Sequence, residues 1–343
     1  MMRTGGPRRG AHICVRAPPV PERASSPRSA AVIGAGSIGT AWAVVFARAG
    51  WTVTVCDVKP ETLDELPAKV SDRLGELSAA GLLTEDVATV ASRVEPAATL
   101  AEAVSGRHWV QECVVESLPV KREIFTQLDA LTPATAILAS STSMIACSRW
   151  AEGLPGRARC LVVHPGNPPY LLPIAEVVPA PFSDKAVVDR AQEVLAEIGM
   201  TPVLVNGEPE GFVFNRLQGA LLREAYCLVR DGVISAPDLD RVVSHGLGRR
   251  WAVIGPFATA QLNTRGGIRR HAEVMGPAYQ RMGAERGQHD PWTPELVERV
   301  ATSIERGLPA DEWDQQVLQR DAALAELERA RRERADLFSS FEN

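Results

Sequence analysis

Between Ala30 and Val58 the chain reads AAVIGAGSIGTAWAVVFARAGWTVTVCDV. A short unbroken apolar run comes first, then a glycine-punctuated turn, an apolar-rich helical stretch and a second apolar run. Unbroken runs of this length are the pattern of strands buried on both faces of a parallel sheet. The helix between them turns Ala41, Val44, Val45 and Ala47 toward a core, and Gly50 ends it. A strand–helix–strand unit closes right-handed, so the first two strands must lie parallel. The turn carries Gly34, Gly36 and Gly39 in the spacing G-x-G-x-x-G. The first glycine permits the tight turn, the second lets backbone approach a diphosphate, and the third lets helix pack on strand. Free N–H groups at the helix start, around Ser37 and Ile38, then face the phosphates. Asp57 ends the second strand, eighteen residues after Gly39. A carboxylate there accepts hydrogen bonds from a ribose 2′-hydroxyl and repels a 2′-phosphate, which predicts NAD rather than NADP; Lys59 nearby weakens the repulsion.

The alternation of strands and helices continues to about Asn206. HWVQECVVES, TAILASSTS, ARCLVVHP, LLPIAEVVPA and MTPVLVN read as strands, and residues 60–105 read as helical. VKREIFTQLDALTP is an amphipathic helix stopped by Pro133, and DKAVVDRAQEVLAEIG is another, ended by Gly199. Beyond Asn206 every segment reads as helix. The expected fold is α/β: an N-terminal Rossmann-type parallel-sheet domain over 29–206, then an all-α domain over 207–343. Residues 1–28 hold six arginines, five prolines and one acid, with no apolar core, and read as a disordered leader.

A net charge of −5 over 343 residues gives no basic face for nucleic acid. No apolar run reaches the roughly eighteen residues a membrane helix needs. Six cysteines without a Cys-x-x-Cys pair suggest a reduced, cytoplasmic protein, and no metal site is expected.

The segment HPGNPPYLLPIAE places His164 at the head of a proline-stiffened stretch and Glu176 twelve residues on. Held still, a neutral histidine takes a proton well near pH 7, and a carboxylate on its other ring nitrogen fixes the tautomer. The remaining histidines (His12, His108, His245, His271, His289) have no such spacing and read as surface residues.

Together GAGSIG, VVESLPVK, ASSTS, HPGNPPYLLPIAEVVP, GFVFNR, EAYCLVRDGVISAPDLD and GLGRRWAVIGPF resemble the 3-hydroxyacyl-CoA dehydrogenase superfamily. The likeness runs from Ala30 to about residue 325 and is greatest to the λ-crystallin / L-gulonate 3-dehydrogenase branch. The resemblance implies NAD-dependent oxidation of an L-3-hydroxy acid derivative and a homodimer formed through the helical domain. It implies that His164 is the base and Glu176 its partner, and that Ser143 and Asn215 contact the substrate. Glu116 and Lys121 are then expected near the nicotinamide ribose. Ser141 stands where the family often has asparagine. Gly166 stands where the branch has a larger apolar residue, which predicts a looser loop and a larger pocket.

Residues 60–105 contain nine acids against three bases, a balance that repels the phosphates of coenzyme A. A small free L-3-hydroxy acid, with L-gulonate as the example, is therefore the expected substrate. Arg250 is the expected partner of its carboxylate, with Arg249 and Arg265 as alternatives. An acyl-CoA or carnitine dehydrogenase, or a catalytically idle NAD-binding crystallin, are the other readings.

Overall fold

The structure is a computed structural model that describes residues 28–265, 267–286, 295, 309 and 312–334. The leader expected over 1–28 lies outside the described residues except for Arg28, as do Cys14 and His289. The strands are β1 (Ser29–Ile33), β2 (Thr52–Cys56), β3 (Val94–Pro96), β4 (Trp109–Glu112), β5 (Ile137–Ser140), β6 (Cys160–Pro165), β7 (Ile174–Pro179) and β8 (Thr201–Leu204). They form one sheet in the order β3-β2-β1-β4-β5-β6-β7-β8. The described helices of twelve residues or more are α1 (Ser37–Arg48), α2 (Leu66–Ala79), α3 (Leu118–Leu131), α4 (Lys185–Glu197), α5 (Phe214–Arg230), α6 (Gly267–Arg286) and α7 (Trp313–Glu333).

Two details depart from the sequence reading. The 60–105 stretch, expected to be helical, contains β3, which pairs in parallel with β2 at the sheet edge. Three residues leave no alternation to read, and Pro96, with no N–H to give, belongs on an edge. The sheet also reverses once, because β6 and β7 pair antiparallel. Only residues 166–173 connect them, too few for the helical crossover that a parallel pair needs.

Both faces of the sheet are covered. On one, α1 is buried along Gly39–Ala47. Its Trp42, Phe46 and the strand residue Trp109 stand in a row with ring centroids 5.8 and 5.9 Å apart. A helix apolar on all sides is stable only when sandwiched in this way. On the other face Phe125 of α3 stacks on Trp150 at 3.8 Å. No strand follows β8 among the described residues; the rest is helical. The last helix, α7, returns to the α/β part. Arg332 donates to the Leu82 carbonyl there, while Arg331 donates to the Ala252 carbonyl of the helical part.

The order reverses between β1 and β4: from β1 the chain moves out to β2 and β3, then returns to β4 on the other side. Ligands of open α/β sheets sit at the carboxyl ends of strands at such a point. Here those ends carry Gly34 and Cys113.

Candidate active site

Gly34 has φ +102°, and a Cβ on it would lie 2.6 Å from the Cys113 carbonyl oxygen. A Cβ on Gly39 would lie 1.8 Å from the Gly34 oxygen. Backbone packing alone therefore requires both glycines. Gly36 differs, since nothing lies within 4 Å of where its Cβ would be. It sits exposed beside Ser37 at the start of α1, with Ile38 half-buried behind. This open surface over helix N–H groups fits the diphosphate of a dinucleotide. Asp57 closes the rim, one oxygen accepting the Ala35 N–H at 2.7 Å and the other the Lys59 N–H at 2.9 Å.

The expected base and its expected partner meet across the β6–β7 hairpin, whose register sets His164 opposite Glu176. Nδ1 of His164 lies 2.8 Å from Oε2 of Glu176, and both residues are buried. The other glutamate oxygen, Oε1, accepts the N–H groups of Val213 and Phe214, at 2.8 and 2.9 Å, at the start of α5. Burial pushes the Glu176 carboxyl up, but the hydrogen bonds from His164, Phe214 and Val213 and the charge of the histidine outweigh it, and the net direction is down. An ionised carboxylate can only accept. Nδ1 must therefore carry a proton, and in the neutral ring the lone pair is then on Nε2. Phe212 and Phe214 flank the ring, with centroids 5.7 and 6.2 Å away. Phe212 is fully buried and has φ +50°, a conformation that non-glycine residues hold only when their surroundings impose it.

Asn215, next on α5, donates from Nδ2 to the Ser143 carbonyl at 3.1 Å. Ser143 is exposed in the turn after β5, and its N–H reaches Oε1 of Glu116 at 3.2 Å. Oε2 of Glu116 lies 3.4 Å from Nζ of Lys121. The structure thus joins His164, Glu176, Asn215, Ser143, Glu116 and Lys121 in two linked hydrogen-bonded groups. Arg250 is not part of either. It lies on the short helix Gly248–Trp251, exposed, and forms no ion pair among the described residues; Arg249 and Arg265 are exposed as well. Among the described residues no group of three or more His, Cys, Asp or Glu is arranged to hold a metal ion.

Sequence reasoning missed Glu112. It is fully buried on β4, with Lys121 Nζ at 2.9 and 3.0 Å. Its only sequence signal was an acid inside an apolar strand. The expectation that Gly166 enlarges the pocket is corrected. A Cβ there would lie 2.8 Å from Cγ2 of Ile174 and 3.0 Å from Leu172, so the glycine allows the hairpin to close. Ser141 proves to be a junction, its Oγ accepting from Trp42 Nε1 at 3.1 Å and Gln111 Nε2 at 2.7 Å.

Comparison with known proteins accords with this geometry. Residues 29–208 match the family model for the 3-hydroxyacyl-CoA dehydrogenase NAD binding domain, and residues 211–307 match that for the 3-hydroxyacyl-CoA dehydrogenase C-terminal domain. The chain belongs to the 3-hydroxyacyl-CoA dehydrogenase family. It is 37% identical over 303 residues to lambda-crystallin of Oryctolagus cuniculus, covering 85% of this chain and 95% of that one. It is 35% identical over 288 residues to the L-carnitine dehydrogenase of Streptomyces griseus, covering 82% of each. Among solved structures, an NAD+-dependent dismutase, 5-formyl-3-hydroxy-2-methylpyridine 4-carboxylic acid 5-dehydrogenase, superimposes with a TM-score of 0.77 at 30% identity, over 88% of this chain and 98% of that one. The cofactor of the family is NAD, and the chain is an oxidoreductase of the 3-hydroxyacyl-CoA dehydrogenase type. With Asp57 at the rim, the specificity constant for NAD should exceed that for NADP by about a hundred-fold or more, since setting like charges together costs several kcal/mol. Steady-state kinetics with each cofactor checks this, and Asp57→Ala should narrow the gap.

Proposed function

We propose that the chain oxidises the 3-hydroxyl of a small free L-3-hydroxy acid, such as L-gulonate, to the 3-keto acid. The observation that carries this reading is the buried His164–Glu176 pair, with its one uncommitted ring nitrogen. Removing a hydride from the carbinol carbon requires removing the proton from its oxygen. NAD supplies the hydride acceptor. Nε2 of His164 takes the proton, and Glu176 stabilises the imidazolium that results. Ser143 and Asn215 hold the substrate oxygen in reach. The Nε2 left without a partner among the described residues, beside that bond, favours a working site over a catalytically idle protein.

The preference for a free acid rests on the 60–105 surface. All nine of its acids are exposed. Its three bases are already engaged: Lys69 with Glu65 at 2.6 Å, Arg93 with Glu85, and Arg73 with the Ser37 carbonyl at 3.0 Å. Only Arg73 has no acid partner there, and nine exposed acids surround it. A relative named for L-carnitine fits a substrate without a nucleotide handle. The free carboxylate needs one cation when the site encloses it, because an unpaired buried charge is very costly. Arg250 is assigned that role in this reading, and its guanidinium makes no ion pair among the described residues. Arg250→Met should weaken binding of the free acid ten- to a hundred-fold, about the value of a hydrogen bond to a charged group, without altering NAD binding. The test is the Michaelis constants of wild type and variant for L-gulonate and for acetoacetyl-CoA. A strong wild-type preference for the thioester would overturn the free-acid reading in favour of an acyl-CoA dehydrogenase.

The same reading includes a cytoplasmic homodimer. The described cysteines are all free thiols. Leu217, Val274, Met282 and Phe257 of the helical part are exposed, and a second copy would cover them.

A further inference from the structure

Glu112 has no role in the mechanism above, yet it anchors a ring of hydrogen bonds closed by one ion pair. Nζ of Lys121 donates to both of its oxygens, at 3.0 and 2.9 Å. The Ser140 hydroxyl donates to Oε2 at 2.5 Å, and the Val114 N–H to Oε1 at 2.7 Å. The ring continues outward from Ser140 and Lys121. Oγ of Ser140 accepts the N–H of Thr142 at 3.2 Å. The Thr142 hydroxyl donates to Oε1 of Glu116, which also takes the N–H groups of Ser143 at 3.2 Å and Met144 at 3.3 Å. Oε2 of Glu116, 3.4 Å from Lys121, closes the circuit.

The inner members, Glu112, Ser140, Lys121 and Thr142, are all buried, whereas Ser143 and Met144 are exposed. The ring is therefore anchored in the core and ends on the amides of one surface turn. Stability alone does not account for it, since a buried ion pair is generally no better than apolar side chains of the same volume. A rigid carboxylate accepting four hydrogen bonds from three groups does fix where Lys121 and Ser140 point. They in turn fix Glu116 and Thr142, and so the backbone of Ser143.

We infer that Glu112 is a positioning residue, which holds the turn that presents Ser143 to the substrate through Ser140 and through Lys121 and Glu116. This rests on the reading above in which Ser143 contacts the substrate. The hydroxyl of Ser143 has to meet a carbinol oxygen at hydrogen-bond distance, and a displacement of about 1 Å in such a group costs up to about a hundred-fold in rate.

Glu112→Gln retains the shape and leaves Lys121 facing Glu116. Hydrogen exchange of the free protein should show the Ser143 and Met144 amides exchanging about ten-fold faster or more, with the β1 amides unchanged. Unchanged exchange at Ser143 and Met144 would overturn the inference. With a 3-hydroxy acid and NAD, the variant's kcat/KM should fall about ten- to a hundred-fold. In a Ser143→Ala background the same substitution should change it by less than about two-fold, because the two act as one unit. An equal fall in both backgrounds would show that Glu112 does not act through Ser143. Ser140→Ala, which breaks the ring without removing a charge, should reproduce the exchange result; normal exchange there would count against the ring. If the wild type oxidised no 3-hydroxy acid at all, the substrate reading would fall, and the exchange result would still decide the ring.

Discussion

A His164→Ala variant should lose between about 10²- and 10⁴-fold in turnover, the span usual for a general acid–base group. Affinity for NADH should stay near the wild-type value, because the residues proposed for the dinucleotide, Gly34, Gly36, Gly39 and Asp57, lie in the β1–α1 turn, the first turn of α1 and just after β2. The buried pair makes the expected loss large. With the imidazole gone, Glu176 keeps its two backbone partners, Val213 and Phe214, and cannot reach out to replace it. A cavity is also left between Phe212 and Phe214, so the variant should be checked for folding before its rate is read. Single-turnover kinetics together with NADH titration test this. A variant retaining most of its activity would remove His164 from the chemistry.

The second large effect is on stability. Lys121→Met should cost about 3–5 kcal/mol at pH 7, the penalty for leaving one partner of a buried pair behind. Burial pushes the Glu112 carboxyl up against the charge of Lys121, the Ser140 hydroxyl and the Val114 amide, and the net direction is already upward. Without Lys121 it should rise further. A carboxyl whose folded-state value lies above its unfolded one destabilises the fold at high pH. The penalty fades as pH falls toward the ordinary value of 4.5, where both states take up the proton. The deficit of Lys121→Met against wild type should therefore narrow between pH 7 and pH 5. The double variant Glu112→Gln/Lys121→Met leaves no charge on the fully buried member, only the half-exposed Glu116 without its cation, and should recover much of the loss. Denaturant unfolding across that pH range measures all three. A pH-independent deficit would mean that Glu112 finds another partner or stays neutral in the fold.

Sequence pattern carried much of this architecture because the relevant signals are local. The Gly34–Asp57 unit has its turn, helix and strand within one short stretch, and the physics of each part is self-contained. The twelve-residue interval between His164 and Glu176 was also readable, although the antiparallel hairpin that makes them face each other was not. That reversal follows from a loop too short for a crossover. Glu112 stayed hidden because Ser140 lies on another strand, and because Lys121, although only nine residues on, meets it only when α3 packs against β4. Arg250 was proposed from its chemistry and its neighbours in sequence. The fold leaves it outside the hydrogen-bonded groups, because a position on a four-residue helix is set by tertiary packing that no local pattern encodes. Gly166 illustrates the reverse error, since a missing side chain can mean contact as readily as space.

One oxygen of Glu176 is held by amides that belong to the helical half of the molecule. The geometry of the His164–Glu176 pair is consequently a property of the assembled chain and of neither half. A chimera joining this α/β half to a foreign helical half would have to reproduce two amide positions to within a hydrogen-bond length. Without them Glu176 would be free to swing, and the histidine could settle with its proton on the wrong nitrogen. Exchange of modules between such enzymes is therefore constrained at one junction, the first turn of α5, whatever happens to the pocket around it.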